Sequence, residues 1–137
     1  MKIQIRQAGP SASEASIRSH KVRIDRPLDK GGSDDGPMGG ELFLTAIGCC
    51  FMSTLLAAIK ARQAEVSDVL TAVTVTLAGS PARFTGIEVC VSAECGDQEL
   101  LEKLVEIAER GCIMINTLRH GRPFKPALLI LFSARAV

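Results

Sequence analysis

Apolar residues along this chain change their spacing several times, and each change marks a different expected element. At the N-terminus Ile3 and Ile5 alternate with polar neighbours, the two-residue period of a half-buried strand. A turn is expected around Gly9 and Pro10, then a strand run from Ser16 to Asp25 in which Ile17, Val22 and Ile24 suggest one buried face. Pro27 ends it, because proline removes a ladder donor. From Lys30 to Gly40 there are five glycines and one proline in eleven residues, which predicts a long, flexible loop. A long helix follows, from about Glu41 to Gln63. Strand alternation returns from Ala72 to Leu77, where Thr74 and Thr76 separate Val73, Val75 and Leu77, and again from Gly86 to Ser92 with Ile87, Val89 and Val91. With Ser80 and Pro81 between them, these two segments are expected to form an antiparallel pair.

A second helix is expected to start at Asp97, a suitable N-cap, with Glu99 in its first turn. Leu101, Leu104, Val105 and Ala108 make its inner stripe, while Glu102, Glu106 and Glu109 face water. Gly111 should break it, since glycine is about 1 kcal/mol worse than alanine inside a helix and favours C-terminal caps. Cys112 to Leu118 then forms a separate short helix closed by Gly121 and Pro123, and Ala127 to Phe132 a final strand. Strands, one long helix, strands, helix, strand is an α+β order. No internal repeat or linker interrupts it, so a single domain over residues 1–137 is expected.

Composition narrows the function. The 137 residues carry sixteen Lys and Arg against fifteen Asp and Glu, a formal charge of +1, and only 4% aromatic residues with no Trp or Tyr. That excludes a nucleic-acid groove, which needs a basic surface and stacking platforms. At 47% apolar and 23% charged the chain is too hydrophobic for disorder. Leu42 to Ile59 is an uncharged window of eighteen residues, the length of a membrane span. Thr45, Gly48, Ser53 and Thr54 interrupt it, and neither a second apolar span nor a basic loop cluster accompanies it, so it reads as a helix buried in protein and no membrane partner is expected. The N-terminus has no apolar signal-peptide region, which makes the reducing cytoplasm the expected compartment. Five cysteines there are reactive thiols or small core residues before they are structural disulfides.

On a helix with 100° per residue, Phe43, Ala46, Thr54, Ala57 and Ala61 fall within about 40° of Cys50. Apart from Phe43 that face is small, so another element or a substrate can approach the thiol closely. Leu44, Phe51, Leu55 and Ile59 lie elsewhere and should fill the core, while Cys49 points alongside Thr45, Met52 and Leu56. The commonest fate of such free cysteines is to pack as small hydrophobes in a helix, and composition alone favours that reading for Cys49 and Cys50. Cys112 is better placed for reactivity, at the start of a helical segment beside Arg110, where a thiolate is favoured. A zinc site lacks its spacing: there is no Cys-x-x-Cys, and the histidines are His20 and His120. Gly31-Gly32 and Gly39-Gly40 match no phosphate loop, and no serine sits in a nucleophile elbow.

Two segments carry a family resemblance. Gly36 to Leu56, a loop feeding an apolar helix with Gly-Cys-Cys-Phe at its centre, resembles the first cysteine motif of the OsmC/Ohr family. Cys112-Ile-Met-Ile-Asn-Thr-Leu-Arg-His-Gly resembles the second, and the element order matches over nearly the whole chain. The resemblance implies antiparallel sheets wrapped around long central helices in an intertwined homodimer. It also implies a thiol-dependent peroxidase acting on organic hydroperoxides or hydrogen peroxide. Cys50 would become a sulfenic acid and Cys112 would resolve it as a disulfide, reopened by an external thiol or dithiol reductant with no bound cofactor or metal. The family places a Glu ten residues before the reactive Cys; here that position is Gly40, and Glu41 follows it. Arg18, Arg23 and Arg26 are the candidates for the arginine that would hold the thiolate. The alternative reading is a non-catalytic or weakly active dimeric protein of the same fold that binds a small ligand.

Overall fold

The structure, a computed structural model, describes residues 1–121. Its first unit is a three-stranded antiparallel sheet in the order β1 (Gln4–Gln7), β2 (Ser13–Ile17), β3 (His20–Ile24). The run expected as one strand from Ser16 to Asp25 is instead a hairpin, with Ile17 opposite His20 and Ser13 opposite Ile24. The chain reverses at Arg18 and Ser19, and Arg18 takes a left-handed φ of 56° without the Gly or Asn that usually announces such a turn. Ile17, Val22 and Ile24 are half-buried as the pattern required, but Ile5 is 67% exposed and the side chain this sheet buries is Ala15.

The glycine-rich segment is tied down rather than loose. Asp25, 2% exposed, accepts hydrogen bonds from the backbone N–H of Arg26 (2.8 Å), Ser33 (3.0 Å) and Asp35 (3.3 Å). The Ser11 side chain donates as well and is the strongest influence; together with the three amides it outweighs burial and holds the carboxyl at about 2. Arg23 donates to Asp35 at 2.7 Å and to the Ala8 carbonyl at 3.1 Å, and Asp25 N–H bonds the Pro37 carbonyl at 3.2 Å. A single 3₁₀ turn occupies Leu28–Lys30. The loop therefore leads the chain from β3 into the next helix along a fixed path.

That helix, α1 (Gly39–Ala61), starts two residues earlier than expected. Met38 has no capping side chain; the Glu41 carboxylate reaches back instead and accepts the Met38 N–H at 2.7 Å, half of a capping box. Ile47, Gly48, Phe51, Leu55 and Ala58 are buried, so Phe51 and Leu55 fill the core as expected and Leu44 and Ile59 stand half-buried at its edge. By length and composition alone α1 could cross a membrane, a property that soluble core helices share. Its buried stripe packs on α2 (Gln98–Gly111) and on the hairpin of β4 (Val66–Ala78) and β5 (Arg83–Cys95).

β4 and β5 pair antiparallel as the alternation predicted, with Val73 opposite Val89 and Val75 opposite Ile87. A bulge near Asp68 and a register shift after Thr76 bend the ladder, and the second turns Leu77 outward to 66% exposure. Phe84 of β5 stacks on Phe43 of α1, with ring centroids 5.9 Å apart. At the start of α2, Asp97 accepts the Leu100 N–H at 3.0 Å, the expected N-cap, and Leu104 and Ala108 point inward with no exposure. Fully burying a Leu is worth about 2 kcal/mol, so Leu104 together with Phe51 and Leu55 anchors α2 to α1. α2 ends at Gly111 as expected, Cys112 joins it to α3 (Ile113–His120), and the Gly121 N–H closes α3 on the Leu118 carbonyl. Pro123 and the strand expected from Ala127 to Phe132 lie outside the described residues.

Because the Asp25 carboxyl is depressed by folding, its stabilisation is complete above the unfolded value near pH 4 and is lost as pH falls toward 2. Thermal melts should show wild type losing stability over that window and Asp25→Asn losing less, while being less stable at pH 7. Parallel acid slopes for the two proteins would contradict the assignment.

Candidate functional site

The small face of α1 meets the junction of α2 and α3, and this brings two cysteines together. Cys50 lies half-buried on α1 beside the core formed by Phe51, Leu55, Leu104, Ala108 and Cys112. Cys112, 0% exposed, ends α2 and caps α3 in one residue, and its thiol neighbours that of Cys50, which packs against the same core cluster.

 Each thiol comes from its own element, so the contact depends on how α1 seats against the end of α2.

The electrostatics of the pair correct one expectation. Cys112 sits at a helix start as foreseen, yet its thiol is not activated there: burial pushes it up from the ordinary thiol range, and the neighbouring Cys50 adds to the rise. The backbone amides of Ile115 and Met114 pull the other way and lose to desolvation. Of the arginine candidates, Arg23 is committed to Asp35 and Ala8, and Arg18 belongs to the β2–β3 turn. Glu41 is committed to the start of α1, and Gly40 stands in contact range of Phe84, 3.7 Å from where a Cβ would lie. The sequence held a signal for the Glu41 role, a Glu three residues after the cap position.

The remaining cysteines separate cleanly. Cys49 is exposed beside a shallow cleft that it lines with Thr45 and Met52, two of its three expected neighbours on α1, and with Thr71 and Val73 of β4. Cys90 is exposed, because alternation on β5 turns it away from the half-buried Val89 and Val91. Cys95 is half-buried, and its Sγ donates to the Asp97 carbonyl at 3.1 Å. Among the described residues no cluster of three metal-ligating side chains occurs. A cavity of about 470 Å³ adjoins Phe51; Ile47, Val89, Val105, Ile115 and Leu118 wall it, and the ion pair of Glu109 with Arg119 stands on its lining. Neither Cys50 nor Cys112 lines that cavity.

A family model described as OsmC-like protein matches residues 32–126, more than half of the chain. In fold the chain is similar to an OsmC like protein from Mycoplasma pneumoniae, with a TM-score of 0.75 at 17% identity over 86% of each chain. It is similar to an organic hydroperoxide resistance protein from Elizabethkingia anophelis, with a TM-score of 0.65 at 22% identity, over 87% of this chain and 89% of that one. The organic hydroperoxide resistance protein OhrB of Bacillus subtilis gives 0.62 at 23% identity, over 86% and 89%. The α+β arrangement of antiparallel sheets and helices is thus that of OsmC/Ohr structures. A comparison with curated proteins finds no match.

Labelling of the native, reduced protein with a neutral alkylating agent should modify Cys49 and Cys90 first and Cys112 last. The rate at Cys112 should keep rising with pH beyond the ordinary thiol range, because burial raises that thiol. Equal rates at Cys112 and Cys49, read by peptide mass spectrometry, would contradict this ordering.

Proposed function

The chain belongs to the OsmC-like protein family, and on that premise we propose that it is a thiol-dependent peroxidase that reduces organic hydroperoxides or hydrogen peroxide. The observation that carries the reading is the contact between two thiols supplied by separate elements, Cys50 from α1 and Cys112 from the α2–α3 joint. The organic hydroperoxide resistance proteins that share the fold support the same chemistry.

Exposure orders the roles. Cys50 is half-buried and Cys112 is sealed behind it, so an incoming peroxide meets Cys50 first. The Cys50 thiolate attacks one peroxide oxygen; the O–O bond breaks, an alcohol or water leaves with a proton, and Cys50 becomes a sulfenic acid. The Cys112 sulfur then attacks the Cys50 sulfur, forming the S–S bond as the S–O bond breaks, and the departing oxygen takes the Cys112 proton to leave as water. An external thiol or dithiol reopens the disulfide by exchange and carries away the oxidising equivalents, so the cycle needs no bound cofactor. A reducing compartment such as the cytoplasm suits that supply of thiols.

The working unit in this reading is an intertwined homodimer. Ile3, Ile5, Leu28, Leu56, Leu70 and Leu77 are large apolar side chains left exposed by one copy of the chain, and a second copy wrapped around α1 would cover such surface. The second reading, a non-catalytic or weakly active dimeric ligand-binding protein, is favoured by one observation. Gly40 stands where the family has Glu, and Glu41, the neighbouring carboxylate, is committed to the start of α1.

Peroxide consumption driven by a dithiol reductant separates the two readings. Wild type should turn over well above free thiol and Cys50→Ser should lose at least about 99% of that rate, as expected when a nucleophile is removed. Turnover undiminished in Cys50→Ser would contradict the peroxidase reading.

A further inference from the structure

Gly111 closes α2, and a Cβ placed on it would lie 2.8 Å from Thr54 Cγ2 on α1. Carbon atoms in good contact sit about 3.5–4.0 Å apart, so any side chain at position 111 would have to push α1 and the end of α2 away from each other. The Thr54 methyl has little freedom to yield. Its β-branched side chain is stiff about χ1, and its hydroxyl donates to the Cys50 carbonyl at 3.0 Å, which holds the rotamer. The two residues of this contact are also the neighbours of the two thiols: Thr54 is one turn beyond Cys50 on the same face of α1, and Gly111 immediately precedes Cys112.

We infer that Gly111 and Thr54 form a positioning contact for disulfide closure, in which the missing Cβ at 111 sets how near Cys112 comes to Cys50. The inference rests on the peroxidase reading and adds to it a requirement on the second chemical step alone. A disulfide needs its Cα atoms within about 4.4–6.8 Å, and a misplacement of about 1 Å can slow a step about a hundredfold. Attack of peroxide on Cys50 has no such requirement, since it involves one protein sulfur. Gly111 and Thr54 are therefore positioning residues for closure and spectators of sulfenic acid formation.

The test treats the full-length reduced protein with one equivalent of hydrogen peroxide, quenches at intervals, and follows sulfenic acid at Cys50 and the Cys50–Cys112 disulfide separately by mass spectrometry. Gly111→Ala should consume peroxide at the wild-type rate, close the disulfide at least about tenfold more slowly and accumulate sulfenic acid. Adding Thr54→Ser removes the opposing methyl while keeping the hydroxyl, and should restore closure; a general loss of stability would not be rescued in this selective way. Thr54→Ile crowds the contact from the α1 side and should slow closure even if Gly111→Ala does not fold. Wild-type closure rates in the crowded variants overturn the positioning role and leave the peroxidase reading standing. A wild type that consumes no peroxide overturns that reading, and this inference with it.

Discussion

Everything that brings chemistry to this fold depends on the packing of an apolar helix against the end of a second one. α1 has too few charges to face water along its length, and its stripe of Ile47, Phe51, Leu55 and Ala58 is satisfied by Leu104 and Ala108 of α2 and by the β4–β5 hairpin. Burial of these side chains is non-directional and would tolerate several seatings of α1. Small residues at close contacts narrow the choice: Gly48 lets Val73 approach, and Gly111 lets Thr54 approach. The thiol pair occupies the second of these contacts, so its geometry is a by-product of core packing.

Packing of that kind also sets the chemical character of the pair. A dry surround raises the Cys112 thiol and so favours its protonated form, which suits the resolving role proposed for it. Two charged side chains considered for the site serve structure instead: Arg23 pairs with Asp35, and Glu41 holds the start of α1. The polar investment of this chain lies instead in the path from β3 to α1, where Asp25 gathers the amides of Arg26, Ser33 and Asp35 and makes a glycine-rich segment follow one route.

The long elements were legible because their signals are periodic or local. The inner stripe and Asp97 cap of α2, the glycine stop at 111 and the alternation of Val73, Val75, Val89 and Val91 each follow from residue types a few positions apart. What the pattern missed depends on contacts distant in sequence or on backbone states without a residue signature. Arg18 makes its turn without Gly or Asn, so two strands read as one. Asp25 orders the loop through partners at 11, 33 and 35, which composition alone presented as flexible. At the site, the motif resemblance singled out Cys50 and Cys112, and the helical wheel identified the small face that receives the α2–α3 joint. The raised Cys112 thiol was hidden, because helix position argues for activation and only burial, a property of the folded chain, reverses it.

The central claim is that Cys50 and Cys112 form one redox pair. Its most direct test is peptide mapping of the wild-type protein after exposure to one equivalent of an organic hydroperoxide without reductant. The expected product is a Cys50–Cys112 disulfide with Cys49, Cys90 and Cys95 still free thiols. Oxidation confined to Cys49 or Cys90, with Cys112 still free, would contradict the account.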